Sequence, residues 1–124
     1  MAWEVEVTDE FTAWYDALGL DDVDRVNTAI DYLAESGPSL GRPFADTLKG
    51  TRHNNLKELR PRGGHLRIIF AFDPRRTAIL LLGGDKAQEW SAWYERMIPI
   101  AEQLYDVHLA TLRQVGETDE RVEG

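Results

Sequence analysis

Cysteine is absent from these 124 residues, which excludes a disulfide scaffold and a thiolate metal site. Long hydrophobic runs are missing too: Ile68–Phe72 and Ala78–Leu82 are only five residues each, far short of the roughly 20 a membrane helix needs. The opening Met1-Ala2-Trp3-Glu4 turns acidic at once and lacks the basic-then-apolar order of a secretory signal. A cytoplasmic location is therefore expected. Histidine is scarce, and His53, His65 and His108 share no ligand spacing, so neither a metal nor another cofactor is expected. No GxxxxG precedes Gly83-Gly84-Asp85-Lys86, and no nucleophile elbow surrounds Ser36, Ser39 or Ser91, so P-loop and serine-hydrolase chemistry find no support. What is present is apolar: hydrophobic residues make up 43% and aromatics 10%, enough for one packed domain and too much for a disordered or collagen-like chain.

Basic charge also looks deficient, since the net charge is −8. Counted by segment, that deficiency is local. Residues 1–41 carry ten acidic side chains against Arg25 alone, and residues 87–124 carry eight against three. Residues 42–86 carry ten basic side chains against four acidic, a net of +6. Chance clustering on solvated faces is the plain alternative. A cationic island is the reading that bears on function, because a phosphate binder needs a positive field only where it binds.

Hydrophobic spacing gives the elements. Trp3, Val5 and Val7 alternate with acidic neighbours as a short strand does. Thr8 or Asp9 can cap a helix carrying Phe11, Trp14, Tyr15 and Leu18, stopped by Gly19. A second helix begins at Asp21 or Asp22, runs its stripe through Val23, Val26, Ile30 and Leu33, and ends at Gly37-Pro38. Residues 37–55 read as a connecting loop, and strands are expected over about 55–61, 65–73 and 77–83. Their short connections force antiparallel pairing. Leu56 and Leu59 have opposite parity, which predicts a bulge or end effect in the first of these strands. On the second, Leu66, Ile68, Phe70 and Phe72 share one face, with His65, Arg67, Ile69 and Ala71 on the other. From Trp90 the spacing is helical, with Pro99 expected to kink or split the helix, and His108 lies on its apolar stripe as a packing residue. The order is β-α-α-β-β-β-α, an α+β fold over residues 1–115 followed by an acidic, frayed tail over 116–124.

Arg60 and Arg67 flank the turn 61–64, so a hairpin brings two guanidinium groups together. Like charges held so close need an anion or a carboxylate between them, and arginine forks suit phosphate. Lys86 follows Gly83-Gly84, where a backbone without Cβ lets a substrate approach. The plain alternatives are a salt bridge of Arg60 to Glu58 or to the acidic helices, a solvated strand face for Arg67, and an ordinary helix-start residue for Lys86.

The segments Leu48-Lys49-Gly50, Leu56-Lys57-Glu58-Leu59-Arg60, Leu66-Arg67-Ile68-Ile69-Phe70 and Ile79-Leu80-Leu81-Leu82-Gly83 with Lys86 resemble the RelE/ParE toxin superfamily. Within it they are most similar to the HigB-like branch of phage-derived Gp49-like proteins. The resemblance implies a type II toxin neutralised by a helix-turn-helix antitoxin, and a metal-independent endoribonuclease acting on mRNA in the ribosome. In that reaction the ribose 2′-OH attacks the adjacent phosphate and leaves a 2′,3′-cyclic phosphate. On this chain the implied catalytic residues are Arg60, Arg67, Lys86, His65 and Lys57, with Lys49, Arg52, His53, Arg62 and Arg75 assigned to RNA binding. The chain departs from many such nucleases between the last strand and Lys86, where Gly83-Gly84-Asp85 stands in place of an aromatic or histidine, leaving His65 and His53 as acid–base candidates. The alternatives are a ParE-like inhibitor of a protein target such as gyrase, and an inactive interaction module. The antitoxin is expected on the 42–86 surface or on the acidic helices.

Overall fold

The computed structural model describes residues 2–85 and 90–123, with side chains described through residue 115. Three α-helices and a short 3₁₀ turn surround a five-stranded mixed sheet. In chain order these are β1 (Val5–Val7), α1 (Asp9–Asp16), α2 (Leu20–Ser36), the 3₁₀ turn Gly37–Ser39, β2 (Ala45–Thr47), β3 (Lys57–Leu59), β4 (Leu66–Phe72), β5 (Ala78–Asp85) and α3 (Trp90–Glu123). The spatial order is β1-β5-β4-β3-β2. β1 runs parallel to β5, because α1, α2 and the later strands intervene, and every other pairing is antiparallel.

Strand alternation builds two cores. Leu59, Leu66, Ile68, Phe70 and Leu80 face α1 and α2, meeting Phe11, Val26 and Leu33. Leu56, Ile69, Ala71, Ile79 and Leu81 face α3, meeting Trp93, Ala101 and Tyr105. The expected sharing of faces along β4 thus becomes a sheet with helices on both sides. Each large aliphatic side chain buried this way contributes roughly 1.5–3 kcal/mol.

Several expectations need correction. The segment 37–55 contains an additional strand, β2, which covers the outer edge of β3. Leu56 and Leu59 require no bulge, because they serve opposite cores. The irregularity lies instead in the β4–β5 ladder: Ile69 pairs with Leu82 but Phe70 with Leu80, so Leu81 is the extra residue. Thr8 takes up the released backbone. Its Oγ1 donates to the Leu81 carbonyl (2.7 Å) and accepts from the Phe11 N–H (3.0 Å), so one hydroxyl caps α1 and anchors the bulge. Pro99 does not split α3, which is a single element. It lies on the exposed side, while Trp93 and Ala101 hold the helix to the sheet on either side of it. Gly83 and Gly84 leave no gap for a substrate. A Cβ on Gly83 would meet Trp14 of α1 at 2.1 Å, and one on Gly84 would meet Trp93 of α3 at 2.2 Å. Two indoles from opposite layers fill the space where the glycines lack side chains.

Candidate functional site

The β3–β4 hairpin organises the cationic surface. Its turn needs Gly63 and Gly64, whose φ angles of 102° and 80° lie in the left-handed region. Tight closure there brings Arg60, just after β3, near Arg67, the second residue of β4. The carboxylate that two neighbouring guanidinium groups require is Glu58. Its side chain is only 7% exposed, and Arg60 donates to Oε1 from Nε (3.0 Å) and Nη2 (2.5 Å). Arg67 Nε lies 3.9 Å from Oε2, which also accepts from the hydroxyl of Tyr94 on α3. The salt bridge to Glu58 that stood as the plain alternative for Arg60 is therefore present. It does not remove the cationic character of the site, because Glu58 is shared by Arg60 and Arg67, and Asp46, 3.7 Å from Arg60, is itself paired with Arg42 at 2.8 Å, so three guanidiniums meet two carboxylates.

Arg67 is not solvated on its strand face. Its guanidinium lies 4.8 Å from the centre of the Trp90 ring, and Nη1 donates to the Leu66 (2.8 Å) and Gly64 (3.3 Å) carbonyls. These contacts fix the fork in one orientation. Burial, then the Glu58 carboxylate, push the Tyr94 phenol well above its ordinary value, so it stays protonated and donates. Glu58 raises the Arg60 guanidinium further above its already high value.

The same hairpin forms one wall of an open cleft of about 480 Å³. Arg60, Arg62 and Arg67 line that wall, and Arg25 and Tyr32 of α2 line the other. Arg25 escaped the sequence assignment because it is the lone base among ten acids, on an element far away in the chain. Glu58 and Tyr94 escaped it as well, the first as a compensating charge and the second as part of a helix stripe.

Other assigned residues fall elsewhere. His65 precedes β4 and turns to α2, with Nε2 2.7 Å from Asp22 Oδ1, so it does not share the sheet face of Arg67. Asp22 in turn accepts from Arg25 Nη1 at 2.9 Å, and His65 first, with Arg25 assisting, holds its carboxyl below the usual value. Lys57 alternates with Glu58 and points to the opposite side of β3. Arg52 and His53 are bound to α3: Arg52 Nη2 and His53 Nε2 each lie 2.7 Å from the Asp106 carboxylate, and both backbone N–H groups donate to Glu102. Asn55 donates to the Phe72 carbonyl (2.9 Å), which places this loop at the far end of β4 from Arg67. Arg75 is at that end too, paired with Asp73 (2.8 Å) and Glu6 (3.0 Å). His108 is partly buried as expected, but with a partner, its Nε2 2.8 Å from Asp73. Lys49 is exposed in the loop after β2. Lys86 lies outside the described residues. Among the described residues no group of three or more His, Asp or Glu is placed to hold a metal ion, and no helix is long and apolar enough to cross a membrane.

Residues 13–106 match the model of the phage-derived Gp49-like family (DUF891). The chain belongs to that family. This Gp49-like chain is 52% identical over 98 residues to the candidate toxin HigB3 of Mycobacterium tuberculosis, covering 79% of this chain and 86% of the relative. It is 42% identical over 113 residues to the candidate toxin HigB2 of the same organism, covering 89% of this chain but 56% of that longer relative. Among solved structures, the isolated RelE toxin of Escherichia coli superposes with a TM-score of 0.59 at 12% identity, over 77% of this chain and 99% of RelE. RelE in the RelE–RelB complex of Pyrococcus horikoshii gives 0.55 at 21% identity, over 72% and 100%. The Gp49-like chain therefore has the RelE fold, as the resemblance of its hairpin segments implies.

Proposed function

We propose that this protein is the toxin of a type II toxin–antitoxin pair and that it cleaves mRNA held in the ribosome. The observation that carries the reading is the Arg60–Glu58–Arg67 cluster with Tyr94. It supplies two oriented forks for a phosphate, one buried proton acceptor and one protonated donor. The 52% identity to a candidate toxin supports the physiological role.

The chemistry follows from the groups. The scissile phosphate binds on the outward edges of Arg60 and Arg67, where charge grows as the phosphorane forms. The ribose 2′-OH attacks phosphorus in line, the bond to the 5′-oxygen breaks, and a 2′,3′-cyclic phosphate and a 5′-hydroxyl result. The nucleophile belongs to the substrate, and the guanidiniums carry the positive charge the transition state needs. Glu58 accepts the 2′-OH proton and Tyr94 supplies one to the leaving oxygen; His53 stands with Asp106 at the far end of β4 from Arg67, and His65 turns toward Asp22 of α2. A helix-turn-helix antitoxin that masks the hairpin surface neutralises the toxin.

The test is expression in cells with mapping of message 5′ ends, repeated on purified programmed ribosomes. Cleavage within codons, cyclic phosphate ends and loss of both in Arg60→Ala/Arg67→Ala support the proposal. Intact messages with normal growth overturn it, and toxicity that survives the double substitution points to a protein target instead.

A further inference from the structure

The cleft behind the hairpin has an unusual lining. Its charged side chains are Arg25, Arg60, Arg62 and Arg67, and no Asp or Glu is among its described lining residues. The carboxylates that pair with three of these, Asp22, Asp46 and Glu58, stand outside the lining, and Arg62 makes no ion pair among the described residues. The charged groups that a ligand meets in this largely apolar cleft are therefore all positive, in a chain whose overall charge is −8.

Two aromatic rings complete it. Tyr32 from α2 and Phe44 from the loop before β2 have centroids 5.1 Å apart and planes inclined at 52°. Both are left unusually open, at 43% and 41% exposure, and an exposed ring beside an arginine fork is a platform for an unpaired base. A cleft of about 480 Å³ has room for a single nucleotide. Arg60 and Arg67 belong both to this lining and to the Glu58 cluster, so the two sites are continuous.

We infer that the cleft is a nucleotide subsite, in which the inclined rings of Tyr32 and Phe44 pack against the face and edge of the base adjacent to the scissile bond while Arg25 and Arg62 hold that nucleotide's phosphate. The inference rests on the nuclease reading above and adds to it where the neighbouring nucleotide sits. An acidic protein segment would satisfy the arginines but gains nothing from two open ring faces, which is why RNA is the favoured occupant.

The probe is a single-stranded oligoribonucleotide with 2′-O-methyl riboses, which cannot be cut by internal attack, titrated against the full chain at low salt by fluorescence anisotropy. Tyr32→Ala/Phe44→Ala is expected to weaken binding about tenfold or more. Arg62→Ala is expected to weaken it and to flatten its salt dependence, which a loss of folding would not do selectively. Val107→Ser, at a site 60% exposed on α3 and at the end of the sheet away from the cleft, serves as the neutral control. On programmed ribosomes the ring variant is expected to raise KM by a similar factor.

Wild-type affinity in the ring variant overturns the subsite, as does an absence of oligonucleotide binding by the unsubstituted chain. So does tighter binding of a polyglutamate peptide that the same substitutions abolish. If the ring variant binds normally while Arg67→Ala abolishes cleavage, the subsite fails and the nuclease reading stands. If the rings and Arg62 govern binding but no message is cut on ribosomes, the nuclease reading fails on its own.

Discussion

Glu58 holds Arg60 in place and accepts from Tyr94, so neutralising it and truncating its partners should have different consequences. Arg60→Ala and Arg67→Ala are each expected to reduce cleavage on programmed ribosomes about 10²–10³-fold, the cost of removing one preorganised donor. Arg67→Lys should recover little of that loss, because an ammonium cannot reproduce a fork laid over Trp90 and tied to two carbonyls. Single-turnover cleavage rates check both. Gly84→Ala is a residue-scale prediction of another kind. The new Cβ meets the Trp93 ring at 2.2 Å, and α3 must shift to admit it, so urea denaturation should show a loss of about 1–3 kcal/mol. These roles explain what the residue pattern could convey. Arg60 and Arg67 were legible because a two-strand hairpin with a short glycine turn leaves little freedom in where its flanks meet. Arg25, Tyr32 and Tyr94 were not, since each reaches the site from a helix whose spacing records only which side is apolar.

The helices and strands divide in the same way. β4 and β5 were legible from short apolar runs bounded by turn residues, and α1 from a capping threonine ahead of a helical stripe. β2 was hidden because Ala45-Asp46-Thr47 is too short to alternate visibly and lies among glycine and proline; its existence depends on pairing with β3. The bulge at Leu81 was hidden because its driving force comes from Thr8, 73 residues earlier. Thr8→Ala removes both the cap and the anchor, and is expected to cost about 1–2 kcal/mol in chemical denaturation. The loop that carries Arg52 and His53 offers a pH-dependent counterpart. Arg52 first, then His53, lower the Asp106 carboxyl to about 2, below its ordinary 3.8. Because the folded-state value is the lower one, the tether stabilises fully above pH 4 and is lost as pH falls from about 4 to about 2. Asp106→Asn should lower Tm at neutral pH and flatten its decline across that acidic window.

At the scale of the whole molecule, charge is partitioned by layer. The acidic α1 and α2 on one side and α3, also net negative in sequence, on the other bracket a sheet whose hairpin carries the positive field. A net charge of −8 opposes the approach of a free polyanion, so affinity for RNA in solution should be weak and steer poorly. In the proposed binding mode only the few arginines at the cleft meet phosphate. With three or four such contacts, the slope of log affinity against log salt should be about −2 to −3, measurable by titration between low and moderate ionic strength. A steeper slope would mean that Arg75 and Arg52, at the other end of the sheet, also engage RNA. A slope that shallow is the outcome expected if the proposed nuclease acts on a substrate that the ribosome positions.

Arg67 above the Trp90 ring also gives the protein an optical reporter. A guanidinium stacked on an indole perturbs its emission, and a phosphate bound on the outer edge of the fork, by drawing on its charge, changes that perturbation. Trp14 and Trp93, wedged against Gly83 and Gly84, report in contrast on whether the strand between them stays packed. Occupancy and unfolding should therefore leave different signatures in the intrinsic fluorescence, and ligand arrival could be followed in the unlabelled chain.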